Sequence, residues 1–194
     1  MNNSKKKYNF EKWLIDNNPK GSYIFDKEIL ESDYNFLKSH IPQNADIAYS
    51  YKTNSYKGIC QFLNSLGSLS EVVSPYEIEL TKQYNIDPKF IIYNGPIKDK
   101  DSIKYVLIND GLVNIDSISD FNLIISVVNE LPDNKKYRVG IRLDLNIEGT
   151  RFGLNVTQDS YIFCLNKLIS HQKIIFDCLH IHYPTRSKDS LSFR

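Results

Sequence analysis

The 194-residue chain carries 24 Lys and Arg residues against 23 Asp and Glu residues, which gives a formal net charge of +1. This balance excludes the strong basic field with which a nucleic-acid-binding or membrane-surface protein attracts its partner. The length suits one domain with its own core, and no apolar run reaches the length of a membrane span. Three widely spaced cysteines, Cys60, Cys164 and Cys178, argue against a disulfide framework, so we expect a cytoplasmic protein.

Strand-like and helix-like patterns alternate along the chain. Strands are predicted over residues 22–25, 46–52, 71–74, 90–93, 112–116, 138–144 and 174–182. Between them, apolar residues recur at helical spacing, as in residues 59–66. Pro75 suits the first turn of a helix, Gly111 suits a C-cap, and Ser117 or Ser119 suits an N-cap.

This alternation predicts an α/β domain with a parallel sheet, either open and doubly wound or closed as a (β/α)₈ barrel. No glycine-rich phosphate loop follows the first strand, which disfavours the dinucleotide-binding form of the open sheet. Polar residues end the later strands: Lys52, Ser74, Asn94, Asp116, Asp144 and His182. Because barrel enzymes have their active sites at the C-terminal ends of the strands, this pattern favours a barrel. A complete barrel takes about 250 residues, so the six barrel strands recognised here predict an incomplete one.

Lys52 is the first candidate for chemistry. Successive strand side chains alternate between faces, so Ala48, Ser50 and Lys52 share one face, and the two small residues leave space beside the lysine. A lysine amine becomes a nucleophile when desolvation or a neighbouring cation favours its neutral form. The alternative is an ordinary solvated lysine in the loop between a strand and a helix.

Seven short motifs carry a family resemblance. In chain order they are Tyr49–Asn54, Glu71–Ser74, Asn94–Pro96 with Lys98, Asn114–Ser117, Ile141–Leu143, Arg151–Gly153 and Leu179–His182. Together they resemble the N-terminal barrel of the fold-type III pyridoxal-phosphate decarboxylases. This family includes diaminopimelate, ornithine and arginine decarboxylases and shares its barrel with alanine racemase. The resemblance runs from about Ser22 to His182.

The resemblance implies pyridoxal 5'-phosphate (PLP) as the cofactor and an amino acid as the substrate. Lys52 would form the Schiff base with PLP and later transfer a proton, and His182 would stack on the pyridine ring. Arg142 would hydrogen-bond the cofactor or neighbouring groups from inside the barrel. Glu71 stands where the family usually has an aspartate near the lysine. Thr185 stands where the family has a phosphate-binding serine.

Other roles remain open for some of these residues. Arg142 could be a structural residue paired with Asp144 or Glu71, and Glu71 could be a salt-bridge partner. The last strand offers a possible metal site, because three candidate ligands share one face: Cys178, His180 and His182. No further ligand in the sequence completes that set, so no metal is predicted.

We expect residues 1–21 to form an N-terminal extension and residues 22–194 to form a partial PLP-binding barrel domain. The last barrel strands, the glycine-rich phosphate loop, the acidic partner of the pyridine nitrogen and the C-terminal β-domain are expected to be absent. The leading interpretation is therefore the N-terminal part of an amino-acid decarboxylase, homodimeric in its full-length form. These residues alone are expected to be poorly stable and inactive.

Two alternatives remain. One is a truncated, non-catalytic relative that binds a partner. The other is a racemase or the short barrel of PLP homeostasis. The predicted strand at 22–25 favours the two-domain decarboxylases over the short barrel.

Overall fold

The computed structural model of the chain describes residues 10–17, 23–146 and 151–182, within which seven strands and seven α-helices form. The strands are β1 (Ala48–Ser50), β2 (Leu69–Val72), β3 (Ile91–Tyr93), β4 (Leu112–Ile115), β5 (Tyr137–Asp144), β6 (Leu154–Asn155) and β7 (Ile174–Ile181). The helices are α1 (Phe10–Asn17), α2 (Lys27–His40), α3 (Lys57–Ser65), α4 (Pro75–Gln83), α5 (Lys100–Ile108), α6 (Ile118–Glu130) and α7 (Asp159–Ser170).

All of the strand pairings are parallel. Strands β1 to β5 lie side by side in chain order, and β7 pairs with β5 on its other side. The two-residue β6 pairs with Leu143 and Asp144, beyond Ile141, the last β5 residue that pairs with β4. Parallel neighbours joined by helical crossovers confirm the predicted α/β class. The sheet contains the six predicted barrel strands and, in addition, the short β6.

Two helices begin at side-chain caps directly after a strand. Ser74 Oγ accepts a hydrogen bond from Glu77 N at 3.3 Å, and Ser117 Oγ accepts one from Asp120 N at 3.1 Å. In return, Glu77 and Asp120 each accept from the backbone N–H that precedes the cap, an arrangement related to the capping box. These reciprocal bonds turn the chain sharply at the C-terminal edge of the sheet.

The core lies between the sheet and the helices that cover it. Its fully buried residues on the strands include Val72, Tyr93, Val113, Val139 and Ile141, and those on the helices include Ile78, Ile103, Val106, Ile124 and Leu168. Burial of these side chains provides the main favourable term in folding.

Three local predictions are wrong. Residues 23–26 form no regular structure, and Asp26 caps α2; Ser22 lies outside the described residues. Residues 22–25 therefore no longer favour the two-domain relatives over the short barrel. Gly111 is not the cap of α5, because Asn109 follows the helix and Asp110 takes the positive φ of 65°. Strand β1 ends at Ser50 rather than at Lys52.

Candidate active site

A cavity of about 310 Å³ lies at the C-terminal edge of the sheet. Its lining residues lie on four strands (β1, β2, β5 and β7) or just after β1, β2, β3 or β7: Ser50, Lys52, Glu71, Val73, Asn94, Arg142, His180 and His182. Parallel strands end at a common edge, so residues far apart in the sequence meet here. The volume is at the lower end of the range for small-molecule sites.

The predicted site residues fall into two groups in the structure. Lys52, Glu71, Arg142 and His182 all line the cavity. Thr185 lies outside the described residues, so the structure places nothing at that position. The four lining residues span 131 positions of sequence and are brought together by the order of the parallel strands.

Lys52 lies in the turn after β1 and has an exposed side chain. Thr53 holds this turn, because its N–H and its hydroxyl both donate to the Ser50 carbonyl, at 3.2 and 2.6 Å. Within the described part of the chain, the Lys52 ammonium makes no hydrogen bond or ion pair. Burial raises the pKa of Glu77, and the nearby Lys52 charge acts to lower it. The Lys52 amine is thus accessible at the cavity wall.

Glu71, on β2, is half-buried and is hydrogen-bonded at both carboxylate oxygens. Ser50 Oγ donates to Oε2, and Asn94 Nδ2 donates to Oε1 at 3.0 Å. Hydrogen bonds to a charged group are stronger than those between neutral groups, at about 1.5–3 kcal/mol each. The carboxylate is therefore held against the wall of the cavity by residues from β1 and from the end of β3.

Arg142, on β5, is paired with Asp116 rather than with Asp144 or Glu71 as the structural alternative predicted. Its Nη1 lies 2.9 Å from Asp116 Oδ1, and the two side chains are 13% and 4% exposed. The guanidinium carbon also lies 5.1 Å from the centre of the Phe152 ring. An arginine in such a place keeps its charge and can still direct its remaining N–H groups at a ligand.

His180 on β7 and His182, which follows β7, both line the cavity. From the sequence, His180 is predicted only as a possible metal ligand. Burial, and then the Arg142 charge, lower the pKa of His180 to about 4. Its Nδ1 atom is buried and has no hydrogen-bond partner within the described residues. His182 is exposed at the end of the strand. The alternation of residues 178, 180 and 182 was the signal that could have placed His180 in the site.

A buried ion pair stabilises the loop that carries Asp116, the partner of Arg142. Lys98 Nζ lies 2.6 Å from Asp120 Oδ2, with side chains 0% and 4% exposed, and it donates to the Gly95 carbonyl at 2.6 Å. Asp120 Oδ2 also accepts from Asp116 N at 3.0 Å. Burial lowers the pKa of Lys98 and raises that of Asp120, in each case against the pull of the partner charge. The pair fixes the backbone that carries the partner of Arg142.

Within residues 10–17, 23–146 and 151–182, His, Cys, Asp and Glu side chains form no group of three or more that could hold a metal ion. None of the helices in those ranges is long and apolar enough to cross a membrane.

The chain matches the family described as "Pyridoxal-dependent decarboxylase, pyridoxal binding domain" over residues 27–173. This match covers most of the chain, so the chain belongs to the PLP-dependent decarboxylases as the N-terminal barrel portion, with PLP as the cofactor. The family resemblance drawn from the seven motifs is confirmed.

Individual relatives agree with this assignment. Diaminopimelate decarboxylase of Methanocaldococcus jannaschii is 27% identical over 158 residues, which cover 76% of this chain and 36% of that protein. The structure of diaminopimelate decarboxylase from Helicobacter pylori, complexed with L-lysine, matches with a TM-score of 0.77 at 20% identity and covers 89% of this chain and 46% of that one. Lysine decarboxylase of Selenomonas ruminantium, in complex with PLP and cadaverine, matches with a TM-score of 0.70 at 23% identity, over 94% of this chain and 45% of that one.

The two solved structures show that the fold is that of the decarboxylase barrel. This chain spans less than half the length of each of these three relatives.

Proposed function

We propose that the chain is the PLP-binding barrel of an amino-acid decarboxylase related to diaminopimelate and ornithine decarboxylases, with Lys52 as the residue that binds the cofactor covalently. One observation carries the proposal. Lys52, whose ammonium has no ion-pair partner among the described residues, shares one cavity with Glu71, Arg142 and His182. Membership of the decarboxylase family supports the same reading.

The chemistry of the cavity residues fits PLP, which combines an aldehyde, a planar ring and a phosphate. The accessible amine of Lys52 suits the aldehyde, and the exposed imidazole of His182 offers a flat face for the ring. The permanent charge of Arg142 favours an anionic ligand. When bound, PLP supplies the electron sink for the electron pair that remains after the substrate loses its carboxylate.

The protein's own residues bind, orient and transfer protons. Lys52 Nζ is the nucleophile, and it can later carry a proton to the substrate carbon from which the carboxylate has left. His182 limits the tilt of a ring stacked on it, which helps to align the bond that breaks. Arg142 is held in place by Asp116 and stabilises negative charge inside the cavity. Glu71 provides a carboxylate whose direction is fixed by Ser50 and Asn94.

Covalent labelling tests the assignment of Lys52. The chain is incubated with PLP, reduced with borohydride and digested, and the labelled peptide is mapped by mass spectrometry. We expect the label on Lys52 and its loss in Lys52→Arg. Lys57→Arg is the matched control, because Lys57 is an exposed lysine at the start of α3 and does not line the cavity. A dominant label on any other lysine would discard Lys52 as the site.

The decarboxylation itself is proposed only for this barrel joined to the remaining part of such an enzyme. The chain spans 36% of the M. jannaschii relative. In that longer form we propose a homodimer acting on an amino acid, with residues 1–21 as an extension and 22–194 within the barrel domain. Diaminopimelate is the first substrate to test, and the 194-residue chain by itself is expected to release no CO₂ from it.

A non-catalytic relative that keeps the barrel is the second candidate. The two candidates differ in one measurement. A decarboxylase releases CO₂ from an amino acid once the complementary part is supplied, whereas the non-catalytic relative binds PLP without turnover under the same conditions.

A further inference from the structure

A chain of hydrogen bonds crosses the interior of the sheet and ends at Glu71. Cys178 Sγ donates to Asn114 Oδ1 at 3.2 Å, and Asn114 Nδ2 donates to Asn94 Oδ1 at 2.8 Å. Asn94 Nδ2 then donates to Glu71 Oε1 at 3.0 Å, and Ser50 Oγ donates to the other carboxylate oxygen. We call these five residues the interior chain.

The Glu71 carboxylate at the end of the interior chain sets the donor-to-acceptor direction of every hydrogen bond in it. A carboxylate only accepts hydrogen bonds, so Asn94 must present its NH₂ group to Glu71 and its carbonyl to Asn114. Asn114 must therefore present its own NH₂ group to Asn94, which leaves its carbonyl for the Cys178 thiol. All of the donors point towards Glu71, and hydrogen bonds aligned in this way strengthen one another.

The interior chain has to cross β5, which lies between β4 and β7. It does so over Gly140, the register partner of Asn114. A Cβ atom at Gly140 would lie 2.0 Å from Asn114 Oδ1 and 2.6 Å from Cys178 Sγ, and also 2.8 Å from the Cys178 carbonyl. Glycine thus leaves room both for the close approach of β7 and for the hydrogen bond between Asn114 and Cys178.

The charges around Lys52 explain what the interior chain can do. Glu71, on β2, lines the same cavity, and a free carboxylate there could pair with the Lys52 ammonium and keep it protonated. Instead each oxygen of Glu71 already accepts one hydrogen bond, from Ser50 or from Asn94, and these two bonds fix the direction in which the carboxylate points. Among the described residues, further charged or titratable groups at or near the cavity are Arg142 on β5, which is paired with Asp116, and Glu77 on α4, which accepts from the Val73 N–H. His180 on β7 and His182 after it also line the cavity.

We propose that Ser50 and Asn94 are positioning residues that hold the Glu71 carboxylate away from Lys52, so that the Lys52 amine remains available to bind an aldehyde. This inference rests on the proposed function of Lys52. Asn114 and Cys178 act one step further away by orienting Asn94. Ser50 and Asn94 also line the cavity, so an effect of either residue counts as positioning only where it disappears when Glu71 is replaced.

A double-mutant cycle tests the inference, with the rate at which the chain forms its borohydride-trapped PLP adduct at Lys52 as the readout. The rate is measured as a function of pH for the wild type, Ser50→Ala, Asn94→Leu and Glu71→Gln, and for each positioning variant combined with Glu71→Gln. We expect Ser50→Ala and Asn94→Leu to move the pH of half-maximal rate upward by about one unit, which slows labelling about tenfold at neutral pH. In the Glu71→Gln background the same changes should shift it little, because the carboxylate that pairs with the lysine is gone.

The possible outcomes separate the two proposals. If the wild type does not label Lys52, the proposed function fails and the inference fails with it. If Lys52 is labelled but the positioning variants leave the pH profile unchanged, or shift it equally with and without Glu71, only the inference is overturned. Circular dichroism monitors folding, and if Asn94→Leu does not fold, Ser50→Ala carries the test because Ser50 is only half-buried.

Discussion

The buried ion pair between Lys98 and Asp120 allows a quantitative test of the fold around the site. The substitution Lys98→Met keeps most of the side-chain volume but removes the ammonium from an environment where the Lys98 side chain is 0% exposed. The Asp120 carboxylate, itself 4% exposed, would then keep only its hydrogen bond from the Asp116 backbone. An uncompensated buried charge is among the most destabilising changes a protein can suffer.

Removal of one member of a buried pair lowers the free energy of unfolding by about 3–5 kcal/mol. With an m-value of about 2 kcal/mol/M, this corresponds to a fall of about 2 M in the urea midpoint. The matched control is Lys100→Met, because the Lys100–Glu130 pair has side chains that are 55% and 58% exposed. An exposed pair of this kind contributes about 0–1 kcal/mol. The double variant Lys98→Met/Asp120→Asn should recover much of the loss, since it leaves no unpaired charge and keeps an acceptor for the Asp116 N–H.

Urea unfolding followed by circular dichroism measures all four proteins under the same conditions. A loss of less than about 1 kcal/mol in Lys98→Met, or a loss as large in Lys100→Met, would refute the argument from burial. A double variant no more stable than Lys98→Met would show that the lost stability comes from packing rather than from the stranded carboxylate.

Two further predictions concern the loop after β3 and the pH dependence of stability. Gly95 has a φ of +91° and a Cβ there would lie 2.1 Å from the Val73 carbonyl, so Gly95→Ala should lower the free energy of unfolding by about 2 kcal/mol or more. Gly58→Ala on α3 meets only the Tyr56 side chain at 2.8 Å and should change stability by less than about 1 kcal/mol in the same urea assay. The pKa of His180 is lowered from 6.5 to about 4, so the unfolded chain binds a proton that the folded chain does not as the pH falls through this window. Stability should therefore fall between pH 6.5 and about 4 more steeply in the wild type than in His180→Gln, and parallel pH profiles of the urea midpoint would contradict this.

The helix caps and the strand–helix alternation could be predicted because their signals are local. Ser117 was one of two predicted N-caps for α6, and its hydroxyl does accept from the Asp120 N–H. Strand β6 could not be predicted, because two residues carry no periodicity and only their pairing with β5 defines the strand. The strand expected at 22–25 shows that local propensity without a neighbouring strand is not enough. Its residues have suitable propensity, but residues 23–25 pair with no strand of the described part of the chain.

Part of the site could be predicted because its motifs are local in the sequence. The motifs pointed to Lys52, Glu71, Arg142 and His182, and the parallel topology puts all four at one cavity. The partner of Arg142 was not predictable, because Asp116 is distant in sequence and reaches it only through the register between β4 and β5. His180 was considered only as a metal ligand, since its burial beside Arg142 is invisible in a linear pattern.

The sequence by itself determined the parallel α/β class, the family resemblance and four of the residues that line the cavity. These properties depend on spacing within one strand, one helix or one short motif, where neighbours along the chain set the pattern. Only the tertiary structure decided which groups are paired and which remain available. The hydrogen-bonded oxygens of Glu71, the unpaired Nδ1 of His180 within the described residues and the pair of Lys98 with Asp120 depend on strand register and on exclusion of water. Strand register and the exclusion of water both arise from contacts between distant parts of the chain.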